Sequence, residues 1–91
     1  MAAPEQDPFV RDIRERITEL DSGILDALNR RLELVAELKR YKDEHGISFV
    51  DPEREERMIA DQSRANGGPL SDDGLRQIYA ELLALTKREV A

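Results

Sequence analysis

A periodic apolar stripe runs along the first half of the chain. Its members recur at three- and four-residue spacing, which is typical of one face of an amphipathic helix. They are Val10, Ile13, Ile17, Leu20, Ile24, Leu28, Leu34, Val35 and Leu38. Counting in sevens from Val10 places Arg31 where this stripe otherwise has an apolar side chain. We therefore expect Arg31 to meet an anion, because a buried cation without a partner is strongly destabilising.

Start and stop signals bound this first helix. Asp7 and Pro8 form a cap and first-turn pair, and His45-Gly46 provides an exit with glycine at the left-handed position. A helix from Pro8 to Glu44 would be about 55 Å long, whereas a compact chain of this size has a radius of gyration of about 12 Å. One chain cannot cover such a helix, so we expect an obligate dimer in which the long helices pair.

Two shorter helices follow. Asp51-Pro52-Glu53 repeats the cap-then-proline signal and opens a second helix that runs to about Ala65. The turn over residues 66–69, Asn-Gly-Gly-Pro, ends it, and Ser71 caps a third helix. The predicted inner face of the third helix consists of Leu75, Ile78, Tyr79, Leu82, Leu83, Thr86 and Val90.

The predicted fold class is therefore all-α. Three helices, long, short and medium, would form an intertwined homodimeric helical bundle. We expect one domain over residues 1–91, with a flexible N-terminal segment over residues 1–6.

Composition and charge narrow the function classes. The chain has 91 residues, no cysteine and one histidine, which argues against thiolate chemistry, a Cys- or His-rich metal site and a Ser-His-Asp triad. Its formal net charge of -6 argues against nucleic acid or an anionic membrane as a partner. No signal peptide or membrane-spanning apolar run is visible, so we expect a cytoplasmic protein.

Polar side chains nevertheless fall on the predicted inner faces. The set is Arg14, Arg31, Lys42, Arg54, Glu55 and Thr86. Arg31 and Lys42 share a face of the first helix with Cα atoms about 16 Å apart, so both side chains can converge on one small molecule. Arg14 lies about 25 Å before Arg31 along the axis and about 100° away in azimuth. It therefore cannot reach the same ligand within one chain, whereas in an antiparallel-paired dimer the Arg14 of the other subunit could.

Simpler structural roles exist for some of these residues taken singly. Arg14 could extend along the helix surface or pair with Glu15 or Asp21. Arg54 and Glu55 could form a local ion pair in the first turn of their helix. Such roles do not explain why several cations lie on inner faces of an acidic chain, so the set as a whole favours a bound anion.

Four segments carry a resemblance to a known family. Their sequences and spacings resemble those of the all-helical (AroQ-class) chorismate mutases. The segments are Ile13–Asp21, Arg30–Val35, Lys39–Lys42 and Asp51–Glu55. The resemblance covers essentially the whole chain from about Asp7. It implies a dimer with two equivalent sites, each completed by an arginine of the other subunit, and conversion of chorismate to prephenate without metal or cofactor.

The resemblance also implies roles for individual residues. Arg31 and the other subunit's Arg14 would bind the two carboxylates of chorismate. Lys42 would contact a carboxylate and the ether oxygen. Glu55 would contact the C4 hydroxyl, with help from the backbone near Asp51.

Two further site residues follow from the same resemblance, and one position departs from it. Arg54 would line the carboxylate side, and Thr86 matches a position where the family often has serine. Four residues later the family commonly has glutamine or glutamate as a second donor to the ether oxygen, whereas this chain has Val90. Either Lys42 acts there alone or with water, or Glu89 bends in, or the site is weakened.

Several readings stay open at the level of sequence. The leading one is chorismate mutase, and a 4-amino-4-deoxychorismate mutase or an isochorismate-pyruvate lyase would use the same scaffold. A non-catalytic regulatory mutase-like domain and a plain dimerising helical module are the alternatives outside enzymology. The turn over residues 66–70 resembles that of mutase domains that are fused to, or associate with, shikimate-pathway synthases. The single residue after Val90 raises the further alternative of a domain cut from, or tuned by, a larger assembly.

Overall fold

The computed structural model describes residues 6–91, which contain three α-helices and no strand. Helix α1 spans Pro8–Glu44, α2 spans Pro52–Ala65 and α3 spans Asp72–Val90. The predicted all-α class and the long, short and medium order are confirmed. The flexible segment expected over residues 1–6 falls mainly on residues 1–5, which lie outside the described part of the chain.

The chain divides into two compact units, Met1–Glu33 and Leu34–Ala91, and α1 contributes residues to both. The carboxylate of Asp7 caps α1 by accepting hydrogen bonds from the backbone N–H groups of Phe9 and Val10, at 2.8 and 3.1 Å. No residue of α1 is buried, and its predicted apolar stripe is largely exposed, with Leu20 at 69% and Ile24 at 58%. A single chain therefore leaves this stripe in water, as the sequence predicted.

The end of α1 has the expected left-handed exit. Gly46 has a φ of 65°, and the N–H of the next residue, Ile47, donates to the carbonyl of Lys42 at 2.8 Å. This is the hydrogen bond of a Schellman motif, in which glycine avoids the steric cost that a Cβ would bring. The ring of His45 stacks on Tyr41 with centroids 4.0 Å apart, so the last turn is also covered by side chains.

The connection between α2 and α3 is closed by one side chain. The amide nitrogen of Asn66 donates to the carbonyl of Leu70 at 2.8 Å, and its amide oxygen accepts from the N–H of Gly68 at 3.0 Å. Ser71 then caps α3 by accepting from the N–H of Gly74 at 3.0 Å. The predicted break and the predicted cap are both confirmed.

Helices α2 and α3 are joined by polar contacts near this turn. The Ser63 hydroxyl of α2 donates to the Asp72 carboxylate in the first turn of α3, and Arg76 binds the other oxygen of Asp72 at 2.8 Å. The hydrogen bond from Ser63, followed by that from Arg76, lowers the pKa of Asp72 below its ordinary value. Asp72 is therefore held as a carboxylate where α3 begins.

The inner face of α3 agrees with the prediction at six of seven positions. Leu75 and Thr86 are buried, at 4% and 5% exposure, and four more residues are half-buried: Tyr79, Leu82, Leu83 and Val90. Ile78 is the exception, because it is 56% exposed. At about 100° per residue it lies roughly 90° from the centre of the face, so it falls at the edge of the apolar stripe.

None of the helices in the described part of the chain combines the length and apolarity needed to cross a membrane.

Candidate functional site

The eight predicted site residues lie on all three helices and one cap. Arg14, Arg31 and Lys42 are on α1, Arg54 and Glu55 are in the first turn of α2 behind Asp51, and Thr86 and Val90 are near the end of α3. Arg14 and Arg31 belong to the unit that ends at Glu33, and the other six belong to the unit that begins at Leu34. Arg31 and Lys42 are half-buried, whereas Arg14 is exposed.

The start of α2 is organised by its cap. The carboxylate of Asp51 accepts from the N–H of Arg54 at 3.1 Å, and the Asp51 carbonyl accepts from the N–H of Glu55 at 3.1 Å. Pro52 at the first helical position has no N–H that would need a partner. Asp51 therefore fixes the backbone that carries both candidate side chains, while two acids, Glu53 and Glu55, complement the positive end of the helix dipole.

The inward orientation predicted for both Arg54 and Glu55 holds only for Glu55. The Glu55 side chain is 24% exposed, whereas Arg54 is exposed at the surface. Consecutive helical residues point about 100° apart, so only one of the two can face α3. The single chain turns the carboxylate toward α3 and leaves the guanidinium at the surface.

Glu55 has a partner that the sequence did not indicate. The ammonium of Lys87, on α3, lies 3.0 Å from Oε1 and 3.3 Å from Oε2 of Glu55. Lys87 directly follows Thr86, but it lies 32 positions after Glu55 in the sequence. Only the packing of α2 against α3 shows that Glu55 and Lys87 meet. From the sequence alone, Lys87 is simply a cation near a helix C-terminus, where it is favourable for the helix dipole.

Thr86 is buried and its hydroxyl is engaged. Its Oγ1 donates to the carbonyl of Leu82 one turn earlier, at 2.7 Å. Threonine hydroxyls within helices commonly donate to the carbonyl four residues earlier in this way. Val90, four residues later, is the last residue of α3 and is half-buried.

The chemistry available at these positions is electrostatic. Within residues 6–91, no group of three or more His, Cys, Asp or Glu side chains is placed to hold a metal ion. Within the unit that begins at Leu34, the Asp51 cap, the Glu55 carboxylate with its lysine and the half-buried ammonium of Lys42 are groups that can bind an anion or accept a hydrogen bond. Arg31 is a half-buried cation of the other unit.

Comparison with known proteins identifies the family. The model of chorismate mutase type II matches residues 13–90, a segment that contains all eight candidate site residues. The chain is 39% identical over 74 residues to the T-protein of Enterobacter agglomerans, which covers 76% of this chain and 20% of that protein. It is 36% identical over 50 residues to the 4-amino-4-deoxychorismate mutase of Streptomyces venezuelae, covering 55% of this chain and 48% of that one.

A solved structure agrees in fold along most of the chain. The chorismate mutase of Thermus thermophilus, in its form I, superposes with a TM-score of 0.82 at 31% identity and covers 85% of this chain and 96% of that one. The chain spans only about a fifth of the length of the T-proteins that it matches. Family match, sequence relatives and fold agree, and the chain belongs to the chorismate mutase type II family.

Proposed function

We propose that this chain catalyses the rearrangement of chorismate to prephenate. The observation that carries the proposal is the family match over residues 13–90, which takes in every candidate residue from Arg14 to Val90. The matched Thermus thermophilus chorismate mutase supports it, because the similarity extends over 96% of that chain.

The reaction suits the residues at hand. In this unimolecular Claisen rearrangement a carbon–oxygen bond breaks while a carbon–carbon bond forms, so no nucleophile or proton transfer is required. The enzyme has to hold a dianion in a compact pseudo-diaxial shape and stabilise negative charge that develops on the ether oxygen. Positioning and preorganised electrostatics supply this kind of catalysis.

The cations of α1 have the central roles in this proposal. Arg31 and the Arg14 of a second copy bind the two carboxylates, since a guanidinium recognises a carboxylate through two parallel hydrogen bonds. Lys42 contacts a carboxylate and the ether oxygen, where a compact positive charge opposes the developing negative charge. The half-buried state of Arg31 and Lys42 supports these roles, because partial desolvation strengthens their attraction for an anion.

The other residues orient the ring. Glu55 accepts a hydrogen bond from the C4 hydroxyl, and the backbone held by the Asp51 cap assists it. Arg54 lines the carboxylate side of the site, and its surface position in the single chain leaves its guanidinium available for that purpose. Thr86 and Val90 border the site from the end of α3.

A homodimer completes the proposal. The apolar stripe of α1 is exposed in the single chain, and exposed apolar surface of this extent marks an interface. Self-association would bury it and would bring the second Arg14 to the site. Light scattering at micromolar concentration tests this, because a dimer should be found and its unfolding midpoint should rise with protein concentration. A monomer would contradict it.

The activity itself is tested by following the loss of chorismate by ultraviolet absorbance and identifying the product. We expect prephenate to form with the purified chain and not with Arg31→Ala, whose circular dichroism should remain that of the parent. Absence of turnover by a folded dimeric parent would reject catalysis and favour a regulatory mutase-like domain.

A second substrate has specific support. The 36% identity to a 4-amino-4-deoxychorismate mutase makes 4-amino-4-deoxychorismate the alternative to assay in parallel. A cytoplasmic location and association or fusion with a shikimate-pathway enzyme stay predictions. Fractionation of source cells and co-purification with the full-length protein would test them.

A further inference from the structure

The ion pair between Glu55 and Lys87 joins two helices. The Lys87 ammonium bridges the carboxylate, at 3.0 Å from one oxygen and 3.3 Å from the other. The ion pairs Arg16–Asp12, Arg30–Glu33, Lys39–Asp43, Arg64–Asp61 and Arg76–Asp72 each lie within one helix, three or four residues apart. The Glu55–Lys87 pair instead joins α2 to α3, so it fixes the carboxylate with respect to a second helix.

This ion pair contributes little to the stability of the fold. The side chains of Lys87 and Glu55 are 45% and 24% exposed, and ion pairs at such accessibility contribute little to the free energy of unfolding. Its position is more informative. Lys87 follows the buried Thr86 on α3. Its partner is Glu55, the carboxylate that binds the C4 substituent in the proposed function.

We propose that Lys87 is a positioning and specificity-determining residue, which orients Glu55 and favours a substrate with an uncharged hydroxyl at C4 over one with an ammonium there. This inference rests on the proposed function, in particular on Glu55 as the acceptor for the C4 substituent. It addresses the choice between chorismate and its 4-amino relative.

The preference follows from charge and from lone pairs. A carboxylate offers about four acceptor sites, so Glu55 can bind Lys87 and still accept one hydrogen bond from a hydroxyl. Glu55 alone would attract a cationic C4 group, but the Glu55–Lys87 pair is neutral. An ammonium at C4 would lie beside the Lys87 ammonium, and like charges that share one carboxylate repel each other.

The experiment measures kcat/KM for chorismate and for 4-amino-4-deoxychorismate in the parent, Lys87→Met, Lys87→Arg and Arg88→Met. Lys87→Met keeps most of the aliphatic stem and removes the charge. We expect it to shift the ratio of the two kcat/KM values toward the amino substrate by about three- to fivefold, the range for a half-exposed charge pair. Lys87→Arg should keep the parent's ratio. Arg88→Met is the matched control, since it removes the same charge from the next residue of α3.

The shift should lie in KM more than in kcat. The C4 substituent takes no part in the bonds that break and form, so its contact with Glu55 is similar in the ground state and the transition state. Where turnover of the amino substrate is too slow to follow, its inhibition constant against chorismate reports the same preference. If Lys87→Met is misfolded by circular dichroism, Lys87→Gln replaces it.

Three outcomes would overturn the inference in an enzyme that is active on chorismate: an unchanged ratio in Lys87→Met, an equal shift in Arg88→Met, or loss of the ratio in Lys87→Arg. Each would leave the proposed function intact. A folded parent that turns over neither substrate is a different result, because it rejects the proposed function and the inference together.

Discussion

The backbone N–H of Ile47 donates to the carbonyl of Lys42 at 2.8 Å, across the left-handed Gly46. This hydrogen bond connects the loop that leads to α2 with Lys42, which contacts the ether oxygen in the proposed mechanism. The end of α1 and the start of α2 are thus linked through backbone that only glycine at position 46 accommodates without strain.

Gly46→Ala should therefore lower the free energy of unfolding by about 1 kcal/mol, because alanine at positive φ is strained. Urea denaturation of the parent and the variant measures the difference. Gly67→Ala is the control, since Gly67 has no positive φ and an added Cβ there would meet nothing within 4 Å. Equal destabilisation by both substitutions would contradict the assignment of strain to position 46.

Asp72→Asn should lower the melting temperature at neutral pH, because it removes the carboxylate bound by Ser63 and Arg76. The pKa of Asp72 is lowered in the folded state. Its stabilising contribution is therefore present above the ordinary pKa of an aspartate and is lost as the pH falls through the lowered value. The difference between parent and variant should shrink over that acidic window in thermal melts at stepped pH.

Asp73→Asn provides the control for that measurement, since Asp73 is also an acid in the first turn of α3. It shares the interaction with the helix dipole, so it should show a smaller and less pH-dependent effect. A difference for Asp72→Asn that persists unchanged to the lowest pH at which the parent stays folded would refute the ionic origin.

Lys42→Ala should reduce kcat by on the order of 10²-fold or more, as expected when a donor to a developing oxyanion is removed. Lys42→Arg should recover little, because a planar fork replaces a compact charge. Steady-state kinetics with chorismate measures both. Lys39→Ala is the control on the same helix, since Lys39 pairs with Asp43 at 2.9 Å. Near-normal turnover by Lys42→Ala would remove the centre of the mechanism.

Arg14→Ala and Arg31→Ala should each be inactive alone, yet regain activity when mixed and allowed to exchange subunits. The heterodimer would contain one site with both arginines and one with neither. The reason is their spacing of about 25 Å along one helix, which prevents both from reaching one ligand within a chain. Activity that stays absent, while tagged parent subunits exchange normally, would show that the site is not shared.

Val90→Gln should raise kcat, by about tenfold or more, and change KM less. A second donor to the ether oxygen becomes stronger as charge develops there, and a well-placed donor of this kind contributes about 3 kcal/mol. The parent should accordingly be a modest catalyst. If Val90→Gln leaves kcat unchanged while Glu89→Ala abolishes activity, Glu89 holds the role and the last turn is displaced by one residue relative to the family's pattern.

The sequence by itself determined the helices and their ends. Asp7, Asp51 and Ser71 each cap the helix that follows, as their side-chain chemistry predicts, and Gly46 adopts the left-handed conformation expected after α1. These are local interactions over two to five residues, so the order of residues is enough to specify them. The apolar periodicity of α1 was equally readable, and the stripe that it predicts is largely exposed in the single chain.

Only the tertiary structure decided which faces of α2 and α3 meet. The sequence alone placed both Arg54 and Glu55 on the predicted inner face of α2. In the structure Glu55 faces α3, whereas Arg54 lies at the surface. The contact of Glu55 with Lys87 spans 32 residues and depends on how two helices lie side by side. Local propensity does not encode that choice, because it arises from which side chains are excluded from water when the helices pack.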